Sequence, residues 1–191
     1  EGTTENFHAT YAGSAYRTEQ WQWNNRIEYR NGSSLDKWVA RTNLYHPLTD
    51  ALATGGSIDW FHESSSDYYA NQFDARFDLA LRPRENPYAL LWQTRWVQDS
   101  IGGNGTPDRT RKFINNAHLN WMISDRDQLA GQYGIKRVLD QYDGDNYAST
   151  TDFMAAEWRH HLTDRWDVGA HGRRLHGCLL YTSPSPRDGL L

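Results

Sequence analysis

Gln72-Phe73-Asp74-Ala75-Arg76-Phe77-Asp78-Leu79-Ala80-Leu81-Arg82 sorts its side chains by parity. Phe73, Ala75, Phe77, Leu79 and Leu81 fall on one side of an extended chain. Gln72, Asp74, Arg76, Asp78 and Arg82 fall on the other, with Ala80 the only small residue among them. A helix would scatter these charges around its circumference, whereas a strand separates them. The same split recurs upstream. Trp21, Trp23, Ile27 and Tyr29 oppose Gln22, Asn24, Arg26, Glu28 and Arg30. Downstream, Leu129, Gly131, Tyr133 and Ile135 oppose Gln128, Gln132 and Lys136, and Trp166, Val168 and Ala170 oppose Asp167, His171 and Arg173.

Extending this reading along the chain predicts strands at 6–14, 21–30, 37–46, 51–62, 72–82, 88–99, 112–123, 128–139, 149–162 and 166–176. That is about ten strands, each roughly 9–13 residues, longer than the 5–6 usual in soluble domains and matched to a membrane crossing. Tight turns are expected at 47–50, 83–87, 124–127 and 162–165. Longer polar links are expected at 31–34, 63–70, 100–111 and 141–148. Alternating short and long connections is the habit of up-and-down barrels, with short periplasmic turns and longer outer loops. The fold class expected is all-β: an incomplete antiparallel up-and-down transmembrane β-barrel.

The composition narrows the classes further. The 191 residues are 14% aromatic and only 38% hydrophobic, with a mean hydropathy of -0.86. Such aromatic content argues against disorder, and no apolar run is long enough for a transmembrane helix. A net charge of -4 gives no bulk attraction for nucleic acid, so no nucleic-acid partner is expected. In a barrel the charged sides, with Arg26, Glu28, Arg30, Lys37, Arg41, Asp74, Arg76, Asp78, Arg82, Gln93, Arg95, Gln132, Lys136 and Arg173, face the lumen. The apolar sides face lipid. Trp21, Trp23, Trp38, Tyr45, Trp60, Phe61, Trp92, Trp96, Trp121, Trp158 and Trp166 fall toward strand ends, as interfacial girdles do; Phe73 and Phe77 lie between them on the lipid side. A soluble core would use the same aromatics as strand formers. The strand at 149–162 fits the lipid-face rule poorly, because Glu157, Arg159, His160 and His161 crowd its end.

Chemistry-bearing motifs are sparse. Gly102-Gly103-Asn104-Gly105 lacks the Lys-Ser/Thr of a phosphate-binding loop. His160 and His161 point to opposite faces of a strand and do not readily share a metal. Asp140, Asp143 and Asp145 around Gly144 resemble an acidic calcium loop without EF-hand spacing. No G-x-S-x-G elbow occurs. No catalytic residue, cofactor or metal ligand is assigned, and the expectation is a non-enzymatic protein.

Leu162-Thr163-Asp164-Arg165-Trp166-Asp167-Val168-Gly169-Ala170 and Gln132-Tyr133-Gly134-Ile135-Lys136-Arg137 resemble the turn-plus-strand units of bacterial outer-membrane β-barrels. Over about residues 5–176 the chain resembles the C-terminal barrel region of large Gram-negative surface proteins. The resemblance implies residence in the outer membrane, with the lipid bilayer as partner, and a role as anchor, as exporter of a segment, or in solute passage. The terminal strand ending in an aromatic residue, typical of such barrels, is absent. The alternatives are a soluble all-β module that binds carbohydrate or another ligand, and a membrane-embedded enzyme acting on lipid.

The end of the chain reads differently. Cys178-Leu179-Leu180-Tyr181-Thr182-Ser183-Pro184-Ser185-Pro186-Arg187-Asp188 resembles a translated reading frame of the transposase adaptor of short-read sequencing libraries. The expected division is therefore a partial barrel over 1–177 and a non-native tail over 178–191. If the tight turns are periplasmic, the first strand enters from outside and the last ends outside. At least one further strand is then expected at each end of an intact barrel.

Overall fold

A computed structural model describes residues 7–103 and 105–182. Ten strands follow one another: β1 (Phe7–Arg17), β2 (Gln22–Gly32), β3 (Asp36–Pro47), β4 (Leu52–Ser64), β5 (Tyr69–Leu81), β6 (Tyr88–Gly102), β7 (Asp108–Met122), β8 (Asp127–Tyr142), β9 (Asp145–Thr163) and β10 (Trp166–Thr182). They form a single sheet in sequence order, every neighbour antiparallel. No helix is present among the described residues. The outer strands β1 and β10 do not pair with each other there. The fold is all-β and up-and-down.

The strands reach further than their alternation suggested. The expected long links at 63–70, 100–111 and 141–148 shrink to 65–68, 103–107 and 143–144, because their flanks continue the ladder. Tyr69 pairs with Ser64, Ile101 with Asp108, and Tyr142 with Asp145. The alternation of short and long connections is thus not a feature of the fold. Length is instead carried by the strands, from 11 residues in β1 to 19 in β9. β10 also continues past 176 and pairs Cys178 with Thr150 and Thr182 with Asn146. The remainder of the 178–191 segment, like Asn6 and Asn104, lies outside the described residues.

Four of the five turns at one end share a device. A Ser or Thr hydroxyl accepts a backbone N–H in the turns that begin at Thr18, Thr49, Ser124 and Thr163, at 2.9, 3.0, 3.0 and 3.3 Å. Such local bonds replace the ladder where the chain reverses. At the opposite end the β8–β9 turn uses Asp143 and Gly144, with φ of 48° and 86°, the geometry of a two-residue type I′ hairpin.

Cross-strand pairing fixes which residues share a face, since directly opposed residues project together. One face is apolar, with Trp23, Leu44, Ile58, Phe77, Trp92, Phe113, Tyr133, Met154 and Val168 on it. The other is polar and the more enclosed: Glu28, Ala70 and Val97, its buried members, all lie there. The sheet has no hydrophobic core. Ala70 and Val97 are the only buried apolar side chains among the described residues, while Trp23, Ile58, Phe77, Trp96 and Leu119 are exposed.

The upper border of the apolar face is sharp. Its last members are Tyr29, Trp38, Trp60, Phe73, Trp96, Phe113, Ile135, Met154 and Gly172 on β2 to β10. The next residue on the same face is polar on every one of these strands: Asn31, Asp36, His62, Asn71, Gln98, Arg111, Arg137, Asp152 and Arg174. The border steps along the strands in one direction, because Phe113 is opposed to Arg137, Ile135 to Asp152 and Met154 to Arg174. A stepped border is what tilted, staggered strands produce.

Candidate functional site: the charged face of the sheet

The side chains at i and i+2 on a strand share a face, so Arg26, Glu28 and Arg30 form a run on β2. Glu28 sits between the two guanidiniums, 2.9 Å from Arg26 Nη2 and bonded to Arg30 Nε. Arg26 and Arg30 in turn lie over the Tyr11 and Phe7 rings of β1, at 5.0 and 5.6 Å, a cation–π arrangement. Further along the face, Lys37 meets Glu63 at 3.6 Å and Arg41 meets Asp59 at 3.4 Å. Arg95 Nε donates to Asp74 Oδ1 at 2.9 Å. Arg76 pairs with Asp78 at 3.0 Å, and Gln93 donates to the same carboxylate at 2.7 Å. Lys112 closes the series on Asp99 at 3.1 Å.

These pairs are asymmetric in exposure. The side chains of Arg26 and Glu28 are 55% and 11% exposed, and those of Arg95 and Asp74 are 45% and 16%. The cation is the more exposed partner in every pair from β2 to β7. The carboxylates lie low against the sheet, and the N–H donors stand above them. A solute moving along this face meets guanidinium and ammonium groups first.

Most expected lumen residues share this face: Arg26, Glu28, Arg30, Arg41, Asp74, Arg76, Asp78 and Arg95. Arg82 does not belong to the strand. β5 ends at Leu81, and the Arg82 backbone N–H bonds Ala51 O across the turn at 2.7 Å. Of the aromatics, Trp23, Phe73, Phe77, Trp92, Trp96 and Trp121 lie on the apolar face. Trp21 precedes β2 and stacks on His46 at 3.8 Å, and Trp166 opens β10 beside a bulge. Tyr45 and Phe61 lie on the polar face rather than among a girdle: Tyr45 pairs with Gln22 and Gly55, and Phe61 lies under the Lys37 ammonium at 4.5 Å.

The misfit expected of the strand at 149–162 disappears with the register. Glu157, Arg159 and His161 all project to the polar face. His160 alone is on the apolar side, 2.8 Å from Asp127, which also accepts Trp158 Nε1 at 3.1 Å. His161 instead meets Asp167 at 2.5 Å, so the two histidines serve opposite faces. Polar atoms inside the apolar band are likewise bonded to Trp: Trp23 Nε1 donates to Thr42 and Trp92 Nε1 to Asn115, at 2.9 and 3.1 Å.

Outside the strands, Tyr68 donates its hydroxyl to Glu63 at 3.1 Å. Burial, reinforced by the adjacent Glu63 carboxylate, holds this phenol above its usual pKa. Glu63 thereby ties the β4–β5 turn to Lys37 on β3. Sequence reasoning missed the role of β1, whose Phe7 and Tyr11 cover the Arg26–Glu28–Arg30 run; the odd-numbered positions of both aromatics were the available signal.

No protein-family model matches the chain, and no curated protein matches it. Among solved structures, one described as the NanC porin in a rhombohedral crystal form aligns over 93% of this chain and 94% of that chain, at 12% identity and a TM-score of 0.31. A likeness of that size carries no argument here.

Proposed function

We propose that the chain forms part of a non-enzymatic outer-membrane β-barrel of a Gram-negative bacterium, whose charged face lines a passage for small polar solutes, anions in preference to cations. The observation that carries this reading is the missing core. A ten-stranded sheet with its large apolar side chains turned outward has no place in water, where such surfaces mark contact with a partner or a membrane. In lipid the same arrangement is favourable. On β4 to β7 the apolar band spans nine residues, close to the 9–11 a tilted strand needs to cross, and it narrows to about five on β9 and β10. Trp23, Trp121 and Trp158 lie toward its lower margin, and Trp38, Trp60 and Trp96 along its upper one, where amphipathic rings are stable.

A soluble carbohydrate-binding module accounts less well for the band, since it needs a second layer to cover one face. The preference for anions rests on Lys136 and Arg173, cations of the polar face that make no ion pair among the described residues. Membrane residence also requires that the outer strands be paired, either with each other or with further strands, because an open edge is not tolerated in lipid.

The test is reconstitution of the chain into a planar bilayer with a salt gradient across it. Stepwise conductance with a reversal potential on the anion-selective side is expected. Cation selectivity would overturn the solute assignment, and failure to enter the bilayer would overturn the membrane assignment.

A further inference from the structure

Just above the apolar border, β7 and β8 carry Arg109, Arg111 and Arg137 on the outward, apolar-side face. All three are exposed, and none makes an ion pair among the described residues. This sets them apart from the arginines of β2 to β6 on the charged face, each of which has a carboxylate. The nearby carboxylate on their own face, Asp152, is engaged by His176 at 3.0 Å. Below them lies an apolar groove of about 560 Å³ on the same face, running from Trp23 past Gly56 and Ala75 to Trp96 and Phe113. Gly56 forms part of its lining because the backbone of Arg76 comes too close for a side chain; a Cβ there would lie 2.7 Å from the carbonyl oxygen. The two features meet at Phe113, which is directly opposed to Arg137 and two residues from Arg111.

We infer that this juxtaposition is a binding site for one membrane lipid with an exposed phosphate headgroup, which rests on the membrane reading above. Three unpaired guanidiniums at headgroup height match phosphate oxygens in charge and in fork geometry. The groove beneath accepts an acyl chain against Trp96, Phe77 and Ile58. Charge complementarity selects the occupant: a protein partner would have to bring its own carboxylates into the headgroup layer, whereas an anionic lipid is already there.

The site is tested with the 191-residue chain reconstituted in phosphatidylcholine vesicles doped with phosphatidic acid, followed by extraction in mild detergent and native mass spectrometry. Phosphatidic acid is expected to stay bound to the wild type. The double variant Arg111→Gln/Arg137→Gln is expected to retain it at least about tenfold less, since two charge-assisted contacts are lost. Ala75→Leu, which fills the groove, is expected to reduce retention while leaving the arginines in place. Lys136→Gln on the charged face is expected to retain lipid as the wild type does. Equal retention by wild type and double variant overturns the site. So does displacement of the lipid by inorganic phosphate with Ala75→Leu behaving as wild type, which assigns the arginines to free phosphate. A chain that never enters the vesicles fails differently: it overturns the membrane reading itself.

Discussion

The polar face divides into two regions of unlike construction. From β2 to β7 its carboxylates Glu28, Asp59, Glu63, Asp74, Asp78 and Asp99 each hold a cation within 3.6 Å. From β8 to β10 the same face carries small residues, Ala130, Gly134, Ala155 and Gly169, has the pairs Glu157–Arg159 and His161–Asp167 toward one end, and bears the further cations Lys136 and Arg173. Neither of these two cations has a carboxylate among the described residues. The first region pairs its charges, across strands at Lys37–Glu63, Arg41–Asp59, Arg95–Asp74 and Lys112–Asp99 and within a strand at Arg26–Glu28–Arg30 and Arg76–Asp78. The second leaves room and leaves charge uncancelled. On the proposed reading as a passage, solutes are expected to travel along the β8–β10 side, guided by Lys136 and Arg173, with the β2–β7 side as the wall.

The strongest challenge to the comparison is to show that the two regions do not share one lipid face. Phe77→Arg on β5 and Ala156→Arg on β9, both in the middle of the band, are expected to weaken folding into lipid by about 2–4 kcal/mol, as read from denaturant titrations in vesicles. Asp78→Asn, one residue from Phe77 but on the opposite face, is expected to be tolerated. Comparable damage from Asp78→Asn would erase the distinction between faces.

A smaller effect separates the regions by backbone approach. Gly56→Ala is expected to cost about 1–3 kcal/mol through overpacking, because its Cβ meets the Arg76 carbonyl. Gly131→Ala on β8, where a Cβ meets nothing within 4 Å, is expected to fold as the parent does. Selectivity probes the charges directly. Lys136→Gln is expected to lower the anion preference by up to about fivefold, the effect of a unit charge at 4 Å in water. The paired change Lys112→Gln/Asp99→Asn removes a neutral unit and is expected to leave the reversal potential in place. Smallest of all, Trp92→Phe removes one hydrogen bond to Asn115 inside the band, worth about 0.6 kcal/mol in a membrane setting. The same denaturant titration reads it.

Much of this architecture is visible in the sequence, for a simple reason. Where one face meets an apolar environment and the other a polar one, alternation is enforced residue by residue, as in Phe73 to Leu81. Above the apolar border both faces are polar, and the enforcement ends. Segments such as Glu63 to Ala70 and Gln141 to Ala148 then look like loops although their backbones continue to pair. Register was equally hidden. Tyr45 and Phe61 have the chemistry of girdle residues, and only their opposed partners, Gln22 and Gln72 among them, reveal that they lie on the polar face. The ion-pair partners were invisible for the same reason: Arg41 and Asp59 are far apart in the chain, and nothing local announces that β3 and β4 bring them together. Arg109 and Arg111 fall in the segment expected as a link at 100–111 and read as ordinary loop charges, while Arg137 falls near the end of the expected strand at 128–139 with nothing local to set it apart.

The unequal strand lengths carry a consequence for what the chain shows to its surroundings. On the membrane reading the rim is a ramp, low at β2–β3 and rising to the β8–β9 hairpin, whose tip is Asp143-Gly144. That tip is a mast: a protease or antibody that approaches this end of the sheet reaches it before the other described turns there. It is held by its own two-residue hairpin and by a bond from the Asp143 N–H to Asp108 on β7 at 3.3 Å. An epitope tag grafted between Asp143 and Gly144 therefore reports which side of the membrane this end of the sheet faces, at small cost to the ladder below.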